Sequence, residues 1–152
     1  MIRIFKTFGG YLEIAEPQQG CWINVIKPTP KEIERLSSEF NLPSDLVTDV
    51  LDVDERPRIE FEDEWTYIIL RIPVEVLNNG LPFHTIPLGI FITDKFTLTI
   101  CIQENEVLPT GQPLPFREQY RQITDSLNFS LRLFMRSGTL YLRYLKQINQ
   151  KE

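Results

Sequence analysis

The sequence is short of the side chains on which most catalytic sites are built. It has one histidine, His84, inside a stretch of strand composition, and no Ser, Cys or carboxylate stands beside it in a nucleophile motif. Gly9-Gly10 opens no helix and has neither dinucleotide nor P-loop spacing, so it reads as hairpin punctuation rather than a phosphate cradle. These absences argue against an enzyme. Two cysteines, Cys21 and Cys101, lie 80 positions apart without C-x-x-C spacing, and the amino terminus MIRIFKTFGG lacks the apolar core of a signal peptide. Together they predict free thiols in a reducing cytoplasm. Basic charge is also in deficit: 16 Lys and Arg against 21 Asp and Glu give a net charge of −5, which leaves no electrostatic footprint for a nucleic-acid partner. No run approaches the ~20 apolar residues that cross a bilayer. The best candidate, TIPLGIFIT, is short and ends at Asp94-Lys95.

What is present suits one folded domain spanning residues 1–152, with 42% hydrophobic and 24% charged residues. Three short strands are predicted first, in IRIFKTF, YLEIAE and CWINVI. Thr29-Pro30-Lys31-Glu32 then forms a capping box with Pro at the first helical position. The helix it starts carries Ile33, Leu36 and Phe40 on one face and ends at Asn41 and Pro43. A second, short helix is predicted through SDLVTDVL with Ser44 as its cap, broken by Arg56-Pro57-Arg58. RIEFED, WTYIILRIPVEV, TIPLGIFIT and FTLTICIQ read as an antiparallel meander, with turns at Asn78-Asn79-Gly80 and Asp94-Lys95. A loop from Glu104 to Pro115 leads into two helices, FREQYRQITDSL and then NFSLRLFMRSGTLYLRYLKQINQKE. In the last, Leu127, Leu131, Phe134, Tyr141, Leu145 and Ile148 form the expected apolar face, with Arg132, Arg136, Arg143 and Lys146 as the polar complement. The pattern implies a mixed sheet with helices packed on it, of class α/β or α+β.

The local anomaly is acidic. Nine of the 21 acidic residues fall between positions 45 and 64: Asp45, Asp49, Asp52, Asp54, Glu55, Glu60, Glu62, Asp63 and Glu64. Most are expected to form a solvated face. An EF-hand is excluded, because Pro57 stands where the calcium loop needs Gly. Asp45, Asp49 and Asp52 are spaced i, i+4, i+7 and are predicted to project from one helix face, where like charges repel by a few tenths of a kcal/mol per pair. A hard divalent cation or a basic partner would offset that cost. Magnesium keeps several waters, so one or two carboxylates suffice.

Trp22-Ile23-Asn24-Val25 resembles the W-I-N/D strand of the CorA family of magnesium and cobalt transporters, and the stretch from Leu46 to Phe61 resembles its helix–turn–strand signature around R-P-R/K-x-E. Tyr67 to Arg71, Pro87 to Phe91 and the hairpin from Thr93 to Thr99 are similar to the strands that follow. The resemblance covers roughly residues 20 to 103 well and the final helices weakly. It implies an α/β/α sandwich around a mixed sheet, ending at the start of a stalk helix. In the family, two membrane helices follow, the first ending in Gly-Met-Asn; neither is in this sequence, so the resemblance implies a chain that stops before or within the stalk. Full-length members are homopentamers of the cell inner membrane, with this domain cytoplasmic and magnesium bound between subunits to hold the channel closed. The sensing carboxylate is carried over to Asp49, facing a stalk carboxylate of a neighbouring subunit that lies outside this chain, so the isolated chain should hold half a site. Thr48 replaces a residue often acidic in relatives, which argues against a second ion there. Pro57 is expected to fix the turn into the strand, and Arg56 and Arg58 to balance nearby carboxylates. The rival readings are a zinc transporter of the same superfamily and a free-standing cytosolic scaffold.

Overall fold

A computed structural model of the chain describes residues 1–75 and 82–151. The predicted turn at Asn78-Asn79-Gly80 falls outside the described residues. The capping box forms as expected. Thr29 Oγ1 accepts from Glu32 N at 3.2 Å and Glu32 Oε1 accepts from Thr29 N at 2.9 Å, so two otherwise orphaned amides are satisfied at the start of helix α1, Pro30–Ser38. Before it come β1 (Ile2–Phe5), β2 (Glu13–Ile14) and β3 (Cys21–Ile26); β2 is much shorter than YLEIAE suggested.

After α2 (Ser44–Val50), the meander forms as β4 (Arg58–Phe61), β5 (Trp65–Glu75), β6 (Phe83–Thr93) and β7 (Phe96–Cys101), each antiparallel to the next. The predicted turn at Asp94-Lys95 closes on Thr93 Oγ1, which accepts from Lys95 N and Phe96 N, both at 3.1 Å. The seven strands are ordered β2-β1-β3-β7-β6-β5-β4, and β3 against β7 is the parallel pair that makes the sheet mixed. Helices α1 and α2 pack on one face through Leu36, Leu46, Val47 and Val50 over Ile23, Tyr67, Phe91 and Ile100. On the other face, Phe129, Leu133, Leu140 and Tyr144 of helix α4 (Ser126–Lys151) cover Trp22, Ile72, Leu88 and Ile90. The result is the expected α/β/α sandwich. Among the described residues, no helix is long and apolar enough to cross a membrane.

Beneath α4 runs a buried polar chain. Trp22 Nε1 donates to Thr99 Oγ1 at 2.9 Å, Thr99 Oγ1 donates to Asn24 Oδ1 at 2.9 Å, and Asn24 Nδ2 donates to Thr110 Oγ1 at 3.4 Å. A polar atom left unpaired there would cost about 1–3 kcal/mol, so the chain of donors satisfies what burial demands.

Four expectations are corrected. Ser44 does not cap α2: Pro43 takes the cap position without a side-chain bond, and Ser44 is already helical. Asp52 lies beyond the helix end, in the turn that follows. FREQYRQITDSL is not one helix; it breaks into α3 (Leu114–Arg117), a 3-10 turn (Glu118–Tyr120) and a bend, after which Asp125 Oδ1 accepts from Asn128 N at 2.7 Å at the start of α4. The Arg117 guanidinium anchors the break by donating to the carbonyls of Gly9 and Gly10 at 2.9 and 2.8 Å. Finally, the apolar face assigned to α4 is largely its outer one. Of the residues assigned to it, Leu127, Leu131, Phe134 and Leu145 are 48–71% exposed and Tyr141 and Ile148 are half-buried, whereas Phe129, Leu133, Leu140 and Tyr144 are buried.

Candidate metal half-site

The corner that carries Asp49 is built from the sheet outward. Leu46, Val47 and Val50 press α2 onto the sheet, and the Tyr67 hydroxyl donates to Leu46 O at 3.1 Å beneath the helix. Burial raises the Tyr67 phenol well above its ordinary value, so it stays a donor. Close approach requires glycine at position 89: a Cβ there would stand 2.7 Å from Tyr67 Oη, 2.9 Å from Ile100 Cγ2 and 3.1 Å from Val50 Cγ2. With its apolar stripe thus seated, α2 turns Asp45 and Asp49 toward solvent. The chain then folds back through Asp52 N to Asp49 O at 3.1 Å, Glu55 N to Asp52 O at 3.0 Å and Asp54 N to Asp52 Oδ1 at 3.0 Å. Pro57, which has no amide hydrogen to donate, precedes β4, and Arg58 opens the strand opposite Ile69, on the α2 side of the sheet.

Arg58 is the hub of this corner. Its Nη2 lies 2.6 Å from Asp49 Oδ2, Nη1 lies 2.6 Å from Glu55 Oε1, and Nε lies 3.0 Å from Glu60 Oε2. Partial burial disfavours the guanidinium charge, and the hydrogen bonds to Glu60 and Asp49, with the charges of Glu55 and Glu60, outweigh it, so the Arg58 pKa is raised. The Asp49 side chain is 37% exposed. Arg56 extends no ion pair among the described residues; the expected balancing of charge falls to Arg58. Asp52, Asp54, Glu62, Asp63 and Glu64 are all exposed, as a solvated face requires.

Behind the hub stands Arg71, which the sequence reading passed over. Its Nη1 donates to the carbonyls of Val53 and Glu55, both at 2.8 Å, its Nη2 donates to Thr85 O at 2.7 Å, and its Nε donates to Thr85 Oγ1 at 3.0 Å. It pins the acidic turn to the sheet. The signal was a lone guanidinium in the apolar run of WTYIILRIPVE, which needs acceptors when half-buried. The Arg71 carbonyl in turn accepts from the Tyr141 hydroxyl of α4 at 3.0 Å.

Among the described residues, no three His, Cys, Asp or Glu side chains are grouped so as to hold a metal ion. Of the three aspartates predicted to share a face, α2 carries two, and Asp49 is the one held by a basic partner. Its carboxylate is a hard oxygen donor of the kind magnesium takes, and magnesium keeps several waters, so one or two carboxylates can suffice. His84 is exposed on β6, paired in register with Val74.

The family model described as CorA-like Mg2+ transporter protein matches residues 17–151. A zinc transport protein, ZntB of Pectobacterium atrosepticum, is 25% identical over 120 residues, which are 79% of this chain and 36% of that protein, so the chain spans about a third of that relative's length. Among solved structures, the complete CorA magnesium transporter of Methanocaldococcus jannaschii superposes with a TM-score of 0.77 at 20% identity, over 99% of this chain and 48% of that one. The soluble domain of CorA from the same organism gives 0.73 at 19% identity, over 99% and 61%. The cytoplasmic domain of ZntB from Vibrio parahaemolyticus gives 0.71 at 14% identity, over 98% and 61%. Strands β3 to β7, the two helical layers and the Leu46–Phe61 corner thus lie within a matched span of 17–151, and the chain belongs to the CorA-like Mg2+ transporter family.

Proposed function

We propose that the chain is the cytoplasmic regulatory domain of an inner-membrane, homopentameric transporter of magnesium or cobalt, in which Asp49 senses the cytosolic ion at a subunit interface. The observation that carries this reading is the position of Asp49. It sits half-exposed at the rim of α2, one oxygen held by Arg58, with its backbone fixed by a buried helix face and by Tyr67. A carboxylate so placed offers one hard ligand to a hydrated cation and leaves the remaining positions to water and to a neighbouring subunit. When bound there, the ion would supply positive charge bridging two subunits; what this chain contributes is a rigid platform and one oxygen.

A zinc-transporting member of the family is the second reading, favoured by the likeness to ZntB. The corner itself favours magnesium for sensing, since it presents carboxylates while both cysteines are buried, and structural zinc sites draw on Cys and His.

In the 152-residue chain a half-site should bind magnesium no tighter than about millimolar, and at a concentration equal to Kd the stabilisation RT ln 2 is only about 0.4 kcal/mol. The decisive test therefore uses the complete transporter. Limited proteolysis with and without magnesium should show protection by the ion in the wild type and identical cleavage in both conditions for Asp49→Lys, whose fixed positive charge occupies the site. Magnesium-dependent protection that persists in Asp49→Lys removes Asp49 from the sensing role.

A further inference from the structure

We propose that Arg58 is a tethered competitor for the cation at Asp49 and sets the concentration at which that site fills; this rests on the reading of Asp49 as the sensor. The ion and the guanidinium want the same atom. Nη2 of Arg58 holds Asp49 Oδ2 at 2.6 Å, a charge-assisted contact at the short end of its range, and an incoming ion gains that oxygen only by displacing or sharing it.

Two features make the exchange inexpensive. Release of Asp49 does not strand the arginine, because Nη1 and Nε stay with Glu55 and Glu60 at 2.6 and 3.0 Å. Those partners do not drift away either: Arg71 holds the Glu55 carbonyl at 2.8 Å, and Glu60 lies within β4, paired to Tyr67. Release of Asp49 therefore leaves the guanidinium with two carboxylates whose backbones are held, which turns a salt bridge into an exchangeable latch. The charges favour a divalent ion as its key. Within the hub itself, three carboxylates against one guanidinium leave two negative charges, which a divalent cation balances and a monovalent cation does not. The latch is also always at hand, since Arg58 is covalently connected nine residues away, so its local concentration does not vary with conditions as a free ion's does.

Arg58 thus raises the cation concentration needed to occupy Asp49, by a factor set by the strength of one half-exposed ion pair. The probe is manganese(II), whose unpaired electrons broaden nearby amide resonances, titrated into the 152-residue chain and read at Asp49 and Val50. In Arg58→Gln the half-saturating manganese concentration should fall about tenfold. In Arg58→Lys, which keeps the charge but gives up the three-way fork, it should fall about threefold. The double variant Arg58→Gln with Asp49→Asn should lose the gain. If Arg58→Gln is poorly folded by amide dispersion, Arg58→Lys carries the decision. Unchanged half-saturation in the folded variant, with the response still abolished by Asp49→Asn, overturns the latch and leaves the sensor standing. A manganese response at these amides that survives Asp49→Asn overturns both.

Discussion

Two polar networks stand on opposite faces of one sheet, and they are built to different rules. The chain Trp22–Thr99–Asn24–Thr110 is uncharged and buried beneath α4, and the bonds within it run from strand to strand or from strand to loop. The Arg58 hub joins charged groups at the rim, each 22–44% exposed, where water competes for every partner. A buried neutral network is held in place because no solvent can replace a lost partner; a charged, half-exposed one can trade partners at little cost. The first secures the fold and the second leaves a contact free to respond.

The sharpest way to break this contrast is to remove a link from the buried chain. Thr99→Val keeps the shape but deletes the acceptor for Trp22 Nε1 and the donor to Asn24 Oδ1, and should destabilise the protein by about 2 kcal/mol in chemical denaturation. A loss well under 1 kcal/mol would show that the network is dispensable. Arg58→Gln should cost less, about 1 kcal/mol or below, and its effect should shrink in 1 M salt while that of Thr99→Val does not. Equal salt response in the two variants would erase the distinction drawn above.

The smallest effect concerns acid. Glu32 accepts from Thr29 N at 2.9 Å, from Ile2 N at 2.9 Å and from the terminal ammonium at 3.0 Å, and the bond from the Thr29 backbone leads the causes that lower its pKa. A carboxyl depressed in the folded state stabilises it above the unfolded value, near 4.5, and loses that contribution as pH falls through the lower folded value. Glu32→Gln should therefore flatten the acid limb of the stability profile below about pH 4.5, with little change in its slope at pH 6–8. A slope below pH 4.5 identical to wild type would show that Glu32 is not a linked group.

The strand meander and the capping box could be read from residue type alone, because turn chemistry at Asp94-Lys95 and the Thr29–Glu32 spacing are local. The face of α4 was not legible for a physical reason: the helix carries two apolar stripes. Leu127, Leu131 and Phe134 satisfy the 3.6-residue period as well as Phe129, Leu133 and Leu140 do, and periodicity does not rank one stripe above the other. Three aspartates on one helix face required α2 to extend past Val50, and the chain instead turns at Leu51. At the corner, the acidic density around R-P-R foretold that an arginine would balance carboxylates. That Arg71 would clamp the turn was hidden, since its acceptors there are the carbonyls of Val53 and Glu55, which every residue possesses.

Gly89 touches none of the charged groups at the rim, yet it works as their spacer. Because nothing projects from it, the Tyr67 hydroxyl and Val50 settle directly onto the strand, and that thickness fixes how high α2 rides above β4. One added methyl group would lift the helix like a shim under a lever, shifting the Asp49 carboxylate against an Arg58 that stays anchored by Glu55 and Glu60. Sequence drift at this buried position would therefore retune the rim from below, with every charged residue unaltered.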